Sequence, residues 1–320
     1  MSRRSLSVGD LFEAARSGDR GALARLLSLI ERGGTPAREI SRLAYPLSGH
    51  GYTVGLTGAP GSGKSTLTSS IIHHLRALDQ EVAVLAVDPS SPFTGGAILG
   101  DRVRMQDHAT DTGVFIRSMA SRGHLGGLSL ATPEAAHLLD AVGRRLILIE
   151  TVGVGQVEVE IAGKADTTVV VVNPGWGDSV QANKAGLMEI ADVFVINKAD
   201  RAGTDETRRD LEQMLELGDL ATDAWRPPIL PVVATEHSGV VALWDAVLQH
   251  RAFIEAGGEL ARRRAFRLQE ELREVVARRL EQRAWELSGG ERWAELQSQV
   301  ANRTTDPWTA ADEMLKAIDD

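Results

Sequence analysis

Apolar positions in the first fifty residues recur at helical spacing. Leu11, Phe12 and Ala15, then Leu23, Leu26, Leu27 and Ile30, fall three or four apart, the period at which a helix buries one face. The stretches "SGD" and "RGGTP" punctuate them, as turn-forming residues do. From residue 52 the pattern becomes short, wholly apolar runs separated by helical stretches. "YTVGLT" (52–57), "VAVLAV" (82–87), "RLILIE" (145–150), "TTVVVV" (167–172), "VFVIN" (193–197) and "ILPVV" (229–233) predict strands buried on both faces. Helices are predicted near 64–78, 132–142, 179–190, 205–217 and 239–255. Such alternation predicts an α/β fold, a mostly parallel sheet with helices on both faces. From about 259 the chain is helical again, with Leu260, Leu268, Leu272, Val275, Val276 and Leu280 striping a surface rich in arginine and glutamate. Three segments result: an N-terminal helical extension (1–50), a central α/β domain (51–256) and a C-terminal helical segment (257–320).

Composition narrows the functional classes. A net charge of −9 implies no bulk attraction to nucleic acid or to anionic lipid. The absence of cysteine removes disulfides, thiol catalysis and cysteine-based metal sites, and suits a reducing compartment. The first residues hold no apolar run long enough for a signal peptide. No window approaches the roughly 18 apolar residues of a membrane span. A cytoplasmic protein is expected. Lysine is scarce, confined to Lys64, Lys164, Lys184, Lys198 and Lys316, so each position that keeps one carries weight.

The first such position lies in "GAPGSGKST" (58–66), between a predicted strand and a predicted helix. That is the context a phosphate-binding P-loop requires. Gly58, Gly61 and Gly63 let the backbone turn tightly. The N–H groups of Ala59, Pro60's neighbours, Ser62 and Thr66 then lie along a phosphate chain, at a helix N-terminus that favours negative charge. Lys64 is placed to reach β- and γ-phosphates, and the Ser65 hydroxyl to ligate Mg²⁺.

A second surviving lysine falls in "VINKAD" (195–200), at a strand end. An Asp200 carboxylate can accept from the N1–H and exocyclic amine of guanine. Adenine offers neither donor and would leave a buried carboxylate unpaired, costing roughly 1–3 kcal/mol. Sites built this way discriminate by roughly 10⁴-fold. The Lys198 stem would lie along the base, and Asn197 would tie this loop to the P-loop. After the last predicted strand, Ala234, Thr235 and Glu236 stand where backbone N–H groups can meet the guanine carbonyl. The nucleotide expected is GTP or GDP.

Three carboxylates follow strand ends or a glycine-rich loop: Asp88 in "LAVDPSS", Asp101 in "LGDRVRM" and Glu150 in "LIETVGVGQ". They are candidates to hold Mg²⁺ directly or through its waters, though the ion takes only one or two carboxylates directly. Gly153 is placed to sense a γ-phosphate through its N–H. No glutamine occupies an obvious water-positioning site, so slow intrinsic hydrolysis is expected.

In order, "GLTGAPGSGKST", "LAVDPSSPFTGGAILGDRVRM", "FIRSMASRGHLGGLS", "ILIETVGVGQVEVEIAGKAD", "VNPGWGDSVQANKAGLMEIAD" and "VINKAD" closely resemble the MeaB/ArgK-type P-loop GTPases, chaperones associated with methylmalonyl-CoA mutase. The resemblance runs from about residue 50 to 255. It implies a homodimeric, Mg²⁺-dependent GTPase that protects and services an adenosylcobalamin-dependent mutase, with hydrolysis gating cofactor delivery or the removal of damaged cofactor. It implies Ser65, Asp88, Asp101 and Glu150 around the metal, with Lys64 and Glu150 acting in catalysis. "GWGDSVQANKAG" (175–186) resembles the family's extra switch, in which Gln181 and Lys184 would relay the nucleotide state and assist hydrolysis; Trp176 there has no clear match. The C-terminal helix would be a dimerisation arm. Two alternatives stand beside this: an ATPase or kinase linked to basic-amino-acid transport, and a metallochaperone GTPase for another metalloenzyme. The adjacent His73 and His74 read as surface residues of the P-loop helix.

Overall fold

The computed structural model describes residues 6–89, 108, 110–121, 127–151, 164–175, 189–217, 224–287 and 290–319. Among these, seven strands form a single sheet: β1 (Tyr52–Gly58), β2 (Val82–Pro89), β3 (Val114–Ser121), β4 (Leu146–Thr151), β5 (Thr167–Val172), β6 (Val193–Asn197) and β7 (Ile229–Val232). All pair in parallel, in the order β3-β2-β4-β1-β5-β6-β7. The α/β class expected from the alternation is the one observed. The chain works outward from β1 to one side, then crosses back over it to β5, β6 and β7. The direction of winding therefore reverses at β1, where α/β proteins carry ligands outside the carboxyl ends of the strands.

β3 is a strand the apolar runs did not predict. Arg117 and Ser118 interrupt its hydrophobic pattern, which suits an edge strand with one side unpaired. Its neighbours supply what the polar residues need. Arg117 pairs with Glu31 and donates to Ser28 Oγ at 3.0 Å, while Arg20 donates to the carbonyls of Asp111, Thr112 and Val114.

Helices cover both faces because side chains along each strand alternate between them. Val169 and Val171 enter a core with Leu67, Ile71 and Leu75 of α4 (Lys64–Ala77) and Leu243 and Val247 of the helix Val240–Ala256. Val170 and Val172 face the other way, onto Leu211 and Leu215 of the helix Thr204–Leu217. The N-terminal helices α1 (Val8–Arg16), α2 (Arg20–Arg32) and α3 (Gly34–Ala44) join α5 (Gly127–Ala141) over β2, β3 and β4. Phe12, Leu26, Leu27 and Ile40 of these helices are almost wholly buried there. Asp19 of the "SGD" turn caps α2, accepting from the N–H groups of Gly21 and Ala22. With α5 placed, Thr204–Leu217 is α6, Val240–Ala256 is α7, and the chain ends in α8 (Glu259–Leu287), α9 (Glu291–Ala301) and α10 (Pro307–Asp319).

Met1–Arg267 gather into one compact unit and Leu268–Asp320 into a second. Within the second, Leu296 and Val300 of α9 pack against Ala310 and Met314 of α10. The helix expected over 179–190 falls largely outside the described residues. Among the described residues no helix is long and apolar enough to cross a membrane.

Candidate nucleotide site

Parallel pairing sends the carboxyl ends of β1, β2, β4, β6 and β7 to one edge of the sheet, and there the sequence motifs meet. β1 ends in Gly58, at φ 142°, where an added Cβ would lie 2.0 Å from the Val171 carbonyl oxygen. No other residue fits there. The loop then turns into α4, whose first residue is Lys64. The Lys64 ammonium is almost fully buried; it donates to the carbonyls of Gly58 at 2.6 Å and Ala59 at 3.1 Å, spanning the base of the loop. Pro60 and Gly61 are exposed, Ala59, Gly63 and Thr66 half-buried, and Ser62 and Ser65 buried.

Glu150, fully buried near the end of β4, lies in register with Leu56 of β1 and Ala86 of β2. The Ser65 hydroxyl donates to Glu150 Oε1 at 2.6 Å. Two residues of different motifs, 85 positions apart, thus touch in a place closed to solvent. Asp88 follows two residues after Ala86 on β2, in register with Ala120; its side chain is outside what the structure describes. Asp101, Gly153, Gln181, Lys184 and Trp176 also lie outside the described residues.

Asn197 ends β6 and is buried. Its Nδ2 donates to the Ser62 carbonyl at 2.8 Å, and its Oδ1 accepts from the Ala234 N–H at 3.2 Å. One amide therefore joins the P-loop, the β6 end and the turn after β7. Gly63 makes this approach possible: at φ 90°, a Cβ there would meet Asn197 Nδ2 at 2.3 Å. Lys198 follows in the left-handed region at φ 60°, a conformation costly for a residue with a Cβ, and its Nζ donates to the Gly61 carbonyl at 2.6 Å. Asp200 sits in the turn beyond the strand end and is exposed. Of the last segment, Ala234 is buried, while Thr235 and Glu236 are exposed in a one-turn 3₁₀ helix.

Two histidines packed on α4 carry no motif in the sequence. His108 Nε2 lies 3.0 Å from Ser69 Oγ, and His237 Nδ1 lies 2.5 Å from Ser70 Oγ, so adjacent serines of α4 each hold a histidine from a different loop. His73 is exposed as expected, yet its ring stacks on that of His237. The only signal in the sequence was the place of His237, directly after Ala234–Glu236 and two residues before Gly239.

A P-loop at the end of the central strand is thus bonded through Asn197 to an N-K-x-D segment and to the turn after β7, the connectivity expected of a guanine-nucleotide site. Similar proteins are named as GTPases. The chain is 49 % identical over 316 residues to a Pyrococcus abyssi protein named as a GTPase, covering 97 % of each. It is 38 % identical over 263 residues to GTPase ArgK of Escherichia coli, covering 79 % of each. With the mitochondrial methylmalonic aciduria type A homolog of Mus musculus it shares 34 % identity over 277 residues, 80 % of this chain and 66 % of the other. The crystal structure of an LAO/AO transport system kinase superposes over the full length of both chains with a TM-score of 0.72 at 26 % identity. Residues 23–288 match the family described as methylmalonyl-CoA mutase-associated GTPase MeaB, and with that match across most of its length, this chain belongs to the MeaB family of P-loop GTPases.

Proposed function

We propose that this GTPase is Mg²⁺-dependent, cytoplasmic and homodimeric, and that it serves an adenosylcobalamin-dependent methylmalonyl-CoA mutase, hydrolysis gating cofactor loading and the protection or reactivation of that enzyme. The observation that carries the nucleotide half is the set of contacts at Asn197, which brings the phosphate loop and both base-facing loops into one bonded unit. The family description and the likeness to the mouse protein support the partner.

In this reading the N–H groups along Gly58–Thr66 hold the phosphates and Lys64 offsets their charge. Asp200 accepts from guanine; being exposed, it pays a desolvation cost only beneath a base, so an adenine there would leave it unpaired. Asn197 positions the loop, Lys198 flanks the base, and Ala234, Thr235 and Glu236 present backbone donors. The oxygen donors Ser65 and Glu150, already in contact at 2.6 Å, suit a hard cation, and Asp88 and Asp101 complete the proposed set. Bound Mg²⁺ would neutralise charge that develops on the phosphates. Gln181 and Lys184 would relay the nucleotide state to the mutase. The exposed apolar residues Leu268, Leu272, Val276, Leu280 and Trp285 of α8 support a second copy of the chain as its partner.

The deciding experiment compares GTP and ATP hydrolysis with Mg²⁺, with and without purified methylmalonyl-CoA mutase. Slow GTP turnover that the mutase accelerates and EDTA abolishes is the expected result. ATP used as readily as GTP would overturn the base assignment and favour the ATPase or kinase alternative. Indifference to the mutase would remove the partner.

A further inference from the structure

Ser70 lies on the buried side of α4, six residues after Lys64. Its hydroxyl shares a 2.5 Å hydrogen bond with Nδ1 of His237, and the His237 ring stacks on His73, one turn further along the same helix, with centroids 4.7 Å apart and planes 20° apart. His237 is the residue on which the Ala234–Glu236 turn closes. Its N–H donates to the Ala234 carbonyl at 3.4 Å, and its backbone sits in the left-handed region at φ 56° and ψ 13°. Around it, Val233 and Ser238 pair through both their backbone groups, at 3.1 and 3.2 Å. The turn is thus gripped at its start by Asn197, through the Ala234 N–H, and at its end by α4, through His237. Thr235 and Glu236 between these points are exposed; the turn is closed on itself by the Glu236 N–H to the Val233 carbonyl at 3.0 Å and by the Val233–Ser238 pair, and the two grips tie it to β6 and to α4.

We propose that Ser70 and His237, with His73 stacked behind, are positioning residues for nucleotide binding: they fix the Ala234–Glu236 turn to the helix that begins at Lys64. A nucleotide that touches both ends must find base-facing and phosphate-facing donors at a fixed separation. Anchoring the turn on the phosphate helix sets that separation before binding, so less conformational freedom is lost when the ligand arrives. Contacts to the base are the same in the ground and transition states, so loosening them weakens affinity without slowing the bound complex. This inference rests on the reading of Ala234–Glu236 as base-facing.

The test measures GDP affinity by titration of a fluorescent GDP analogue, and kcat at saturating GTP. Ser70→Ala and His237→Ala each weaken GDP binding roughly tenfold, the worth of one hydrogen bond, with kcat unchanged. The double variant is no weaker than either single one, as expected of two residues that act through one contact. His237→Asn, which tolerates the left-handed backbone and places a hydrogen-bonding atom near Nδ1, regains most of the affinity. Ser69→Ala, which loses only the neighbouring contact to His108, binds GDP as the parent does. Asp200→Asn separates the positioning role from the base-facing reading beneath it. If it leaves GDP affinity intact, the base-facing reading fails; if it weakens GDP while Ser70→Ala and His237→Ala do not, the positioning inference alone fails. An equal fall in kcat, or additive losses in the double variant, would also overturn it. Should His237→Ala not fold, Ser70→Ala carries the test, since the exposed imidazole it releases can bond to water.

Discussion

At the scale of single residues, the site depends on close approaches that only certain side chains allow. Gly63 and Asn197 are the clearest pair. Gly63→Ala would drive a Cβ into Asn197 Nδ2, to 2.3 Å, at a backbone angle that side chains rarely adopt. Because Asn197 is bonded on both sides, to Ser62 and to Ala234, it has no room to give. Gly63→Ala is expected to lose at least tenfold in GDP affinity by titration while the melting temperature of the free protein falls only a few degrees. Asn197→Ala removes the link altogether and strands the buried Ser62 carbonyl and Ala234 N–H, at a cost of roughly 1–3 kcal/mol each. Urea denaturation that detects no loss of stability in Asn197→Ala would mean these groups find other partners. The glycines, the lysine and the N-K-x-D residues were legible in the sequence because phosphate and guanine chemistry fix their spacing. His108 and His237 were not, since their serine partners lie 39 and 167 residues away and nothing local marks them.

Among elements, the start of α8 is fastened to the sheet by arginines on successive turns. Arg264 donates to Asp166 and to the carbonyls of Gly49 and Gly51, Arg267 pairs with Asp166 and the Lys164 carbonyl, and Arg263 pairs with Asp192. Asp166 and Asp192 each lie one residue before a strand, β5 and β6, so the clasp grips the end of the sheet opposite the nucleotide edge. Burial alone would raise the Asp166 carboxyl, but the guanidinium groups of Arg264 and Arg267 outweigh it and hold it below the ordinary carboxylate range. The unfolded chain therefore takes up the proton first. Stability from this pair is full above the unfolded value near 3.9 and is lost as pH falls below it towards the folded value. Asp166→Asn is expected to cost about 3 kcal/mol at pH 7, as for a buried ion pair deprived of one partner, and to lose less of its remaining stability between pH 5 and 3 than the parent. Urea titrations at these pH values check both; parallel pH profiles would refute the role. The apolar runs revealed six of the seven strands because β5 or β6, buried on both faces, can hardly be anything else. They missed β3, whose arginine is neutralised by a glutamate on α2, a contact made only in three dimensions.

On the scale of the whole molecule, the proposed dimer is the consequence that can be checked without nucleotide. The α8 residues Leu272, Val276 and Leu280 are between 49 % and 64 % exposed, an apolar row that a lone chain would leave in water. Leu272→Glu together with Leu280→Glu should halve the mass seen by light scattering at micromolar concentration and leave GDP affinity unchanged. A parent protein that already runs as a monomer would dismiss the dimer. The sequence by itself determined the α/β class, the family and the nucleotide: strand burial imposes a hydrophobic period, and phosphate and guanine impose residue types at set intervals, so both are written locally. The tertiary structure decided what no interval encodes. It set one histidine on each of two neighbouring serines of α4, and it joined Ser65 to Glu150 and two loops to Asn197, because parallel strands deliver their carboxyl ends to one edge whatever the distance between them along the chain.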